Sequence, residues 1–129
     1  MRRILVADDE LALRLMYLLW LEGGGDDVRA VGDGREAIGL AGRGWVPDAA
    51  VLDLDMPFVD GLSVCRYLHA LDPAIRIVIV TGVEDARPAA LAAGAHAVLA
   101  KPCGREELLA ALEPVDAPTI APELTRTAT

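Results

Sequence analysis

The chain has 129 residues, 12 basic against 20 acidic side chains for a formal charge of −8, and a 53% hydrophobic fraction. That length suits one domain with a single core, and that hydrophobic fraction excludes a largely disordered chain. The acidic balance argues against a surface that grips phosphate backbones, and the apolar runs fall short of the ~20 residues a membrane span needs. No basic-then-apolar leader opens the chain, since Met1-Arg2-Arg3 runs directly into residues 4–7. The expectation is a soluble, cytoplasmic protein whose domain makes no direct nucleic-acid or membrane contact. Cys65 and Cys103 lie far apart, with no CxxC and no Cys/His cluster. Free thiols are therefore expected, not a disulfide or a zinc site.

Short apolar runs alternate with longer helical patterns. Residues 4–7 form the first predicted strand and end abruptly in Asp8-Asp9-Glu10. Residues 10–22 read as a helix stopped by Gly23-Gly24-Gly25. A second strand is expected over 28–31, and a helix over 33–41 with Asp33 as its N-cap. Residues 49–52 make a third strand that runs into Asp53, and 60–71 a third helix ended by Asp72-Pro73. Residues 75–80 are β-branched and apolar apart from Arg76, between Pro73 and Gly82, the clearest strand pattern in the chain. A short Ala-rich helix follows over 86–93, then a strand over 97–100 and a helix over 104–112. Residues 114–129 are rich in proline and threonine and have no period, so a loose tail or the start of a linker is expected after a domain of residues 1–113. Near-continuous apolar strands are covered on both faces, which implies a parallel sheet between two helix layers. Right-handed crossovers limit five β-α pairs to a few doubly wound arrangements.

In such sheets ligands bind beyond the carboxyl ends of the strands. The first strand delivers Asp8 and Asp9 there, the third Asp53, the fourth Thr81 and the fifth Lys101. Lys101 is the only lysine in the chain. Three converging carboxylates repel one another, and a hard divalent cation with oxygen ligands relieves that; Mg²⁺ suits a shallow carboxylate site that keeps several waters. A hydroxyl and an ammonium opposite make the other half of a site for a tetrahedral oxyanion. That arrangement suits phosphoryl transfer, whose catalysis is mostly positioning and charge neutralisation.

Several motifs stand in order along the chain. They are Val6-Ala7-Asp8-Asp9-Glu10, Asp33-Gly34-Arg35-Glu36-Ala37, Val51-Leu52-Asp53-Leu54-Asp55-Met56-Pro57 with Gly61 beyond, Val80-Thr81-Gly82, Ala93-Gly94-Ala95, and Leu99-Ala100-Lys101-Pro102. Together they resemble the receiver domain of bacterial two-component response regulators, over roughly residues 3–113. The resemblance implies a flavodoxin-like five-stranded sheet of order 2-1-3-4-5 with five helices. It implies that Asp53 accepts a phosphoryl group from a sensor histidine kinase or phosphotransfer protein, and that the chain is a switch promoting its own phosphorylation and dephosphorylation, not an enzyme. By the same resemblance Asp9 and Asp53 ligate Mg²⁺ directly, Asp8 acts through water, and the backbone carbonyl of Asp55 is a further ligand. Thr81 bonds a phosphoryl oxygen, Lys101 pairs with Asp53 and then with the phosphoryl group, and the Lys101–Pro102 bond is cis.

Three features depart from the family pattern. Val98 stands at the switch position, where the family often has an aromatic ring, so switching is expected to pass through backbone and loop movement. Asp55 places an extra carboxylate two residues past the acceptor, where it is expected to tune dephosphorylation. The first helix carries one charge, Arg14, between Leu11 and Leu21. With Leu13, Met16, Tyr17, Trp20 and Leu21 toward the sheet, Leu15, Leu18 and Leu19 are expected to face outward as a surface for a partner or a homodimer. Two alternatives stand beside the receiver reading: a haloacid-dehalogenase-like phosphatase, suggested by Asp53-Leu54-Asp55, and a pseudo-receiver interaction module that takes no phosphate.

Overall fold

A computed structural model describes residues 1–114, and in it each predicted strand and helix forms at its expected place or one residue away. The strands are β1 (Arg3–Ala7), β2 (Asp27–Val31), β3 (Ala49–Leu52), β4 (Arg76–Thr81) and β5 (Ala97–Ala100). The helices are α1 (Leu11–Glu22), α2 (Gly34–Gly42), α3 (Gly61–Leu71), α4 (Arg87–Ala92) and α5 (Arg105–Leu112). The sheet is parallel throughout, in the order β2-β1-β3-β4-β5. The predicted tail falls almost wholly on residues 115–129, outside the described residues.

Alternation along the strands divides the core in two. Ile4, Val6, Val51, Val78 and Val80 face one side with Tyr17 and Leu21 of α1 and Leu108 and Leu112 of α5. Leu5, Ala7, Leu52, Ile77 and Ile79 face the other, with Ala37 of α2, Val64 and Leu68 of α3 and Ala90 of α4. Both faces of every central strand are therefore dry, as their sequence demanded. Cys65 and Cys103 are buried free thiols. Burial pushes the Cys65 thiol up to about 11, so it is a packing residue.

The starts of α2 and α3 are set by side chains that take up free backbone N–H groups. The Asp33 Oδ1 accepts from the Glu36 N–H at 2.9 Å, while Glu36 Oε1 accepts from the Gly32 N–H at 3.0 Å. Asp60 caps α3 by accepting from the Ser63 N–H at 2.8 Å. Such caps each contribute about 1 kcal/mol. Gly94 has φ +111, and a side chain there would run into the His69 ring, so only glycine turns the chain from α4 into β5.

α1 corrects one expectation. Leu15 and Leu19 are exposed as expected, at 50% and 73%, but Leu18 is half-buried and packs against the cluster to which α5 contributes. Leu11 joins the exposed set at 59%. The outward stripe is thus Leu11, Leu15 and Leu19. Positions four apart drift only about 40° around a helix, whereas Leu18 lies about 100° from the buried Tyr17. α5 lies beside α1 on the same side of the sheet, so cover extends around that flank.

Candidate functional site

The parallel register brings the carboxyl ends of β1, β3, β4 and β5 to one edge of the sheet. Beyond the ladder the chain stays pinned. The Asp53 N–H donates to the Ala7 carbonyl at 2.9 Å, the Asp8 N–H to the Val31 carbonyl at 3.2 Å, and the Lys101 N–H to the Thr81 carbonyl at 2.9 Å. Asp8, Asp53 and Thr81 are buried, at 2%, 4% and 4% exposure, while Asp9 is exposed at the mouth. Each of Asp8, Asp9 and Asp53 offers a carboxylate oxygen, and these atoms lie within 4.8 Å of one another. No other such group of possible metal ligands occurs among the described residues.

Lys101 Nζ reaches into this cluster, 3.1 Å from Asp8 Oδ2, 3.3 Å from Asp53 Oδ2 and 3.7 Å from Glu10 Oε1. Burial alone pulls the ammonium down, but hydrogen bonds and charge from Asp8 and Asp53 outweigh it, and Lys101 is held above its usual range. Asp53 moves up as well, first by burial, then by the Asp8 charge, against the opposing pull of Lys101. The site is therefore short of positive charge. Its donors are hard oxygens only, which fits Mg²⁺ and does not fit a soft metal.

Of the remaining predicted residues, Thr81 and Asp55 adjoin this centre. The Thr81 hydroxyl accepts from the Val83 N–H at 3.0 Å. The Asp55 N–H turns back to Asp53 Oδ1 at 3.4 Å, and its exposed side chain lies outside the carboxylate group. Lys101–Pro102 is cis. Gly61 packs so closely under the site that a Cβ would overlap the Asp53 carbonyl. Val98 is half-buried and, with Thr81, Pro88 and Leu99, lines a cavity of about 370 Å³ between α4 and β5. Leu15 and Leu19 are exposed on the outer face of α1 and are not among the grouped carboxylates.

One residue of this neighbourhood went unassigned in the sequence. Arg14 Nη1 donates to the Asp8 carbonyl at 2.8 Å, tying α1 back to the end of β1. Its signal was available: it is the single charge between Leu11 and Leu21 in an otherwise apolar stretch, two turns or less after Asp8.

Residues 4–113 match the family described as the response regulator receiver domain. Response regulator MprA of Mycolicibacterium vanbaalenii is 44% identical over 110 residues, which is 84% of this chain and 47% of that protein. The DNA-binding response regulator MtrA of Mycobacterium leprae is 39% identical over 111 residues, 84% of this chain and 48% of that protein. The chain thus spans about half the length of these curated relatives. Among solved structures, a Burkholderia pseudomallei response regulator with a phosphorylated aspartic acid, calcium ion and citrate superposes with a TM-score of 0.80 at 33% identity, covering 88% of this chain and 67% of that one. A CheY-like receiver domain protein from Methanospirillum hungatei gives 0.79 at 27% identity, covering 85% and 89%. The phosphatase alternative is not favoured: Asp53 closes the central strand of this sheet, and both relatives are response regulators. Sheet order, strand-end residues and these likenesses agree, and the chain belongs to the response regulator receiver domains.

Proposed function

We propose that Asp53 is the phospho-accepting nucleophile of this receiver domain, and that its donor is a phosphohistidine on a sensor histidine kinase or phosphotransfer protein. An Asp53 carboxylate oxygen attacks phosphorus, the P–N bond breaks, and the leaving imidazole keeps the electron pair and takes up a proton. Asp9 and Asp53 would hold Mg²⁺ directly, Asp8 through water, and Asp55 through its backbone carbonyl. When bound, Mg²⁺ supplies charge neutralisation for the oxygens of the moving phosphoryl group. Lys101 already stands between Asp8 and Asp53 and meets a phosphoryl oxygen with its ammonium. Thr81 uses its oxygen to accept from Val83 and has its hydroxyl proton to offer to the phosphoryl group.

The acyl phosphate adds about −2 charge at neutral pH, and that charge biases a two-state surface. The chain acts as a cytoplasmic switch that promotes its own phosphorylation and dephosphorylation, with Asp55 tuning the lifetime of the phosphoryl group. No helix among the described residues is long and apolar enough to cross a membrane. The exposed stripe of α1 is the contact for the phosphodonor or for a second copy of the chain.

The observation that carries this reading is the lone lysine placed between two buried carboxylates, with a third carboxylate beside them. Incubation with acetyl phosphate and Mg²⁺ should add one phosphoryl group, seen by intact mass, and Asp53→Asn should abolish it. A wild-type protein that stays unlabelled would instead be a pseudo-receiver.

A further inference from the structure

Phe58 lies in the loop between β3 and α3, is 70% exposed, and has φ +70. Across it the Val59 N–H donates to the Pro57 carbonyl at 2.8 Å. Phe58 is therefore the centre of a left-handed γ-turn, which is rare and strained for any residue with a side chain. Such strain persists only where neighbours hold it in place.

The neighbour here is the start of α2. The guanidinium carbon of Arg35 lies 3.5 Å from the centroid of the Phe58 ring. Gly34, one residue earlier, packs so tightly on Val59 that a Cβ would overlap the Val59 carbonyl. α2 thus grips two successive loop residues. The Gly61 N–H donates to the Leu54 carbonyl at 3.0 Å and closes the base of the loop, but the stretch between has few ties: Asp55, Pro57 and Phe58 are exposed, and over residues 55–58 the hydrogen bonds run from the Asp55 N–H to Asp53 and onto the Pro57 carbonyl.

We infer that Arg35 and Phe58 form a clamp that positions the Asp55 backbone carbonyl for Mg²⁺. This inference rests on the reading of the Asp53 site given above. Mg²⁺ demands near-ideal octahedral geometry, so a ligand on a loop tied only at its base must be ordered as the ion binds. A clamp that holds the loop beforehand removes that cost. Arg35 and Phe58 touch neither ion nor phosphate; they are positioning residues.

The test is calorimetric titration of Mg²⁺ into the full chain, with the thermal midpoint of the metal-free protein measured alongside. Arg35→Gln and Phe58→Leu should each weaken Mg²⁺ binding about two- to fivefold, the loss of a surface cation–π contact. The double variant should be no weaker than either single one, because both remove the same contact. Arg35→Lys should stay close to wild type, since an ammonium also sits over a ring face. Removing a positive charge by itself favours cation binding, so weaker binding in Arg35→Gln reports lost positioning. Unchanged Mg²⁺ affinity in Arg35→Gln and Phe58→Leu, whatever happens to the thermal midpoint, overturns the clamp. A wild-type chain that takes up no Mg²⁺ overturns the clamp together with the reading of the site, and Asp9→Asn gives the reference for a site that has lost its ion.

Discussion

Lys101 Nζ lies nearer to Asp8, at 3.1 Å, than to Asp53, at 3.3 Å, and so bridges two buried carboxylates on different strands. Removing it leaves both charges buried with no cation between them. Losing one partner of a buried charge set costs about 3 kcal/mol. Lys101→Met should therefore lower the stability of the metal-free protein by about that amount, measured by urea unfolding in the presence of a chelator, and added Mg²⁺ should recover part of it. Equal stability of the two proteins without metal would mean that Lys101 does not hold the pair together.

His96 links the start of β5 to β4. Its ring Nδ1 accepts from the Ile77 backbone N–H at 3.0 Å, and the His96 backbone N–H donates to the Ile77 carbonyl at 2.8 Å. Burial, then the charges of Arg76 and His69, hold its ring below the ordinary value of 6.5. A group with a lowered folded pKa takes up its proton more readily when unfolded. Stability is thus fully present above about pH 6.5 and declines as the pH falls through the lowered folded value. His96→Asn should flatten that part of the curve, between about pH 5 and 6.5, where free carboxylates stay charged. An unaltered slope in denaturant titrations across this window would remove His96 as its source.

The α1 stripe separates two roles that the sequence had merged. Leu15→Glu with Leu19→Glu should leave the fold intact, because both side chains already face water, and should abolish self-association or transfer from the phosphodonor. Leu18→Glu should instead destabilise the fold by about 1–3 kcal/mol, since it places a charge in a half-buried apolar setting. Sedimentation and thermal melts distinguish the two. Unchanged mass and unchanged transfer rate in the double variant would refute a contact there.

Val98 gives the switch no aromatic ring to move. The signal is expected to pass through the backbone that joins Thr81 to Lys101, which share a hydrogen bond of 2.9 Å. Beryllofluoride with Mg²⁺ should therefore shift amide resonances at residues 81–83 and 100–101 although position 98 is a valine. Amides there that stay unmoved while the mimic is bound would show that the signal leaves by another route.

Much of this was legible from the chain alone. The strands are continuous apolar runs, their helices end in glycine or proline, and right-handed crossovers leave little topological freedom. Asp8, Asp53, Thr81 and Lys101 each directly follow a strand or end one, and Asp9 comes one residue later, so a parallel sheet gathers them at one edge with no further information. The contacts between helices and loops could not be read the same way. Whether Leu18 or Leu11 is covered depends on how α5 lies against α1, and that is a matter of packing angle. The Arg14 tie to Asp8 and the Arg35 stack on Phe58 join side chains long enough to reach several partners. Periodicity determined which face of each element is apolar, because it is a local property of the backbone. Only the tertiary structure decided which flanking residues meet, because that is set by the joint packing of elements distant in sequence.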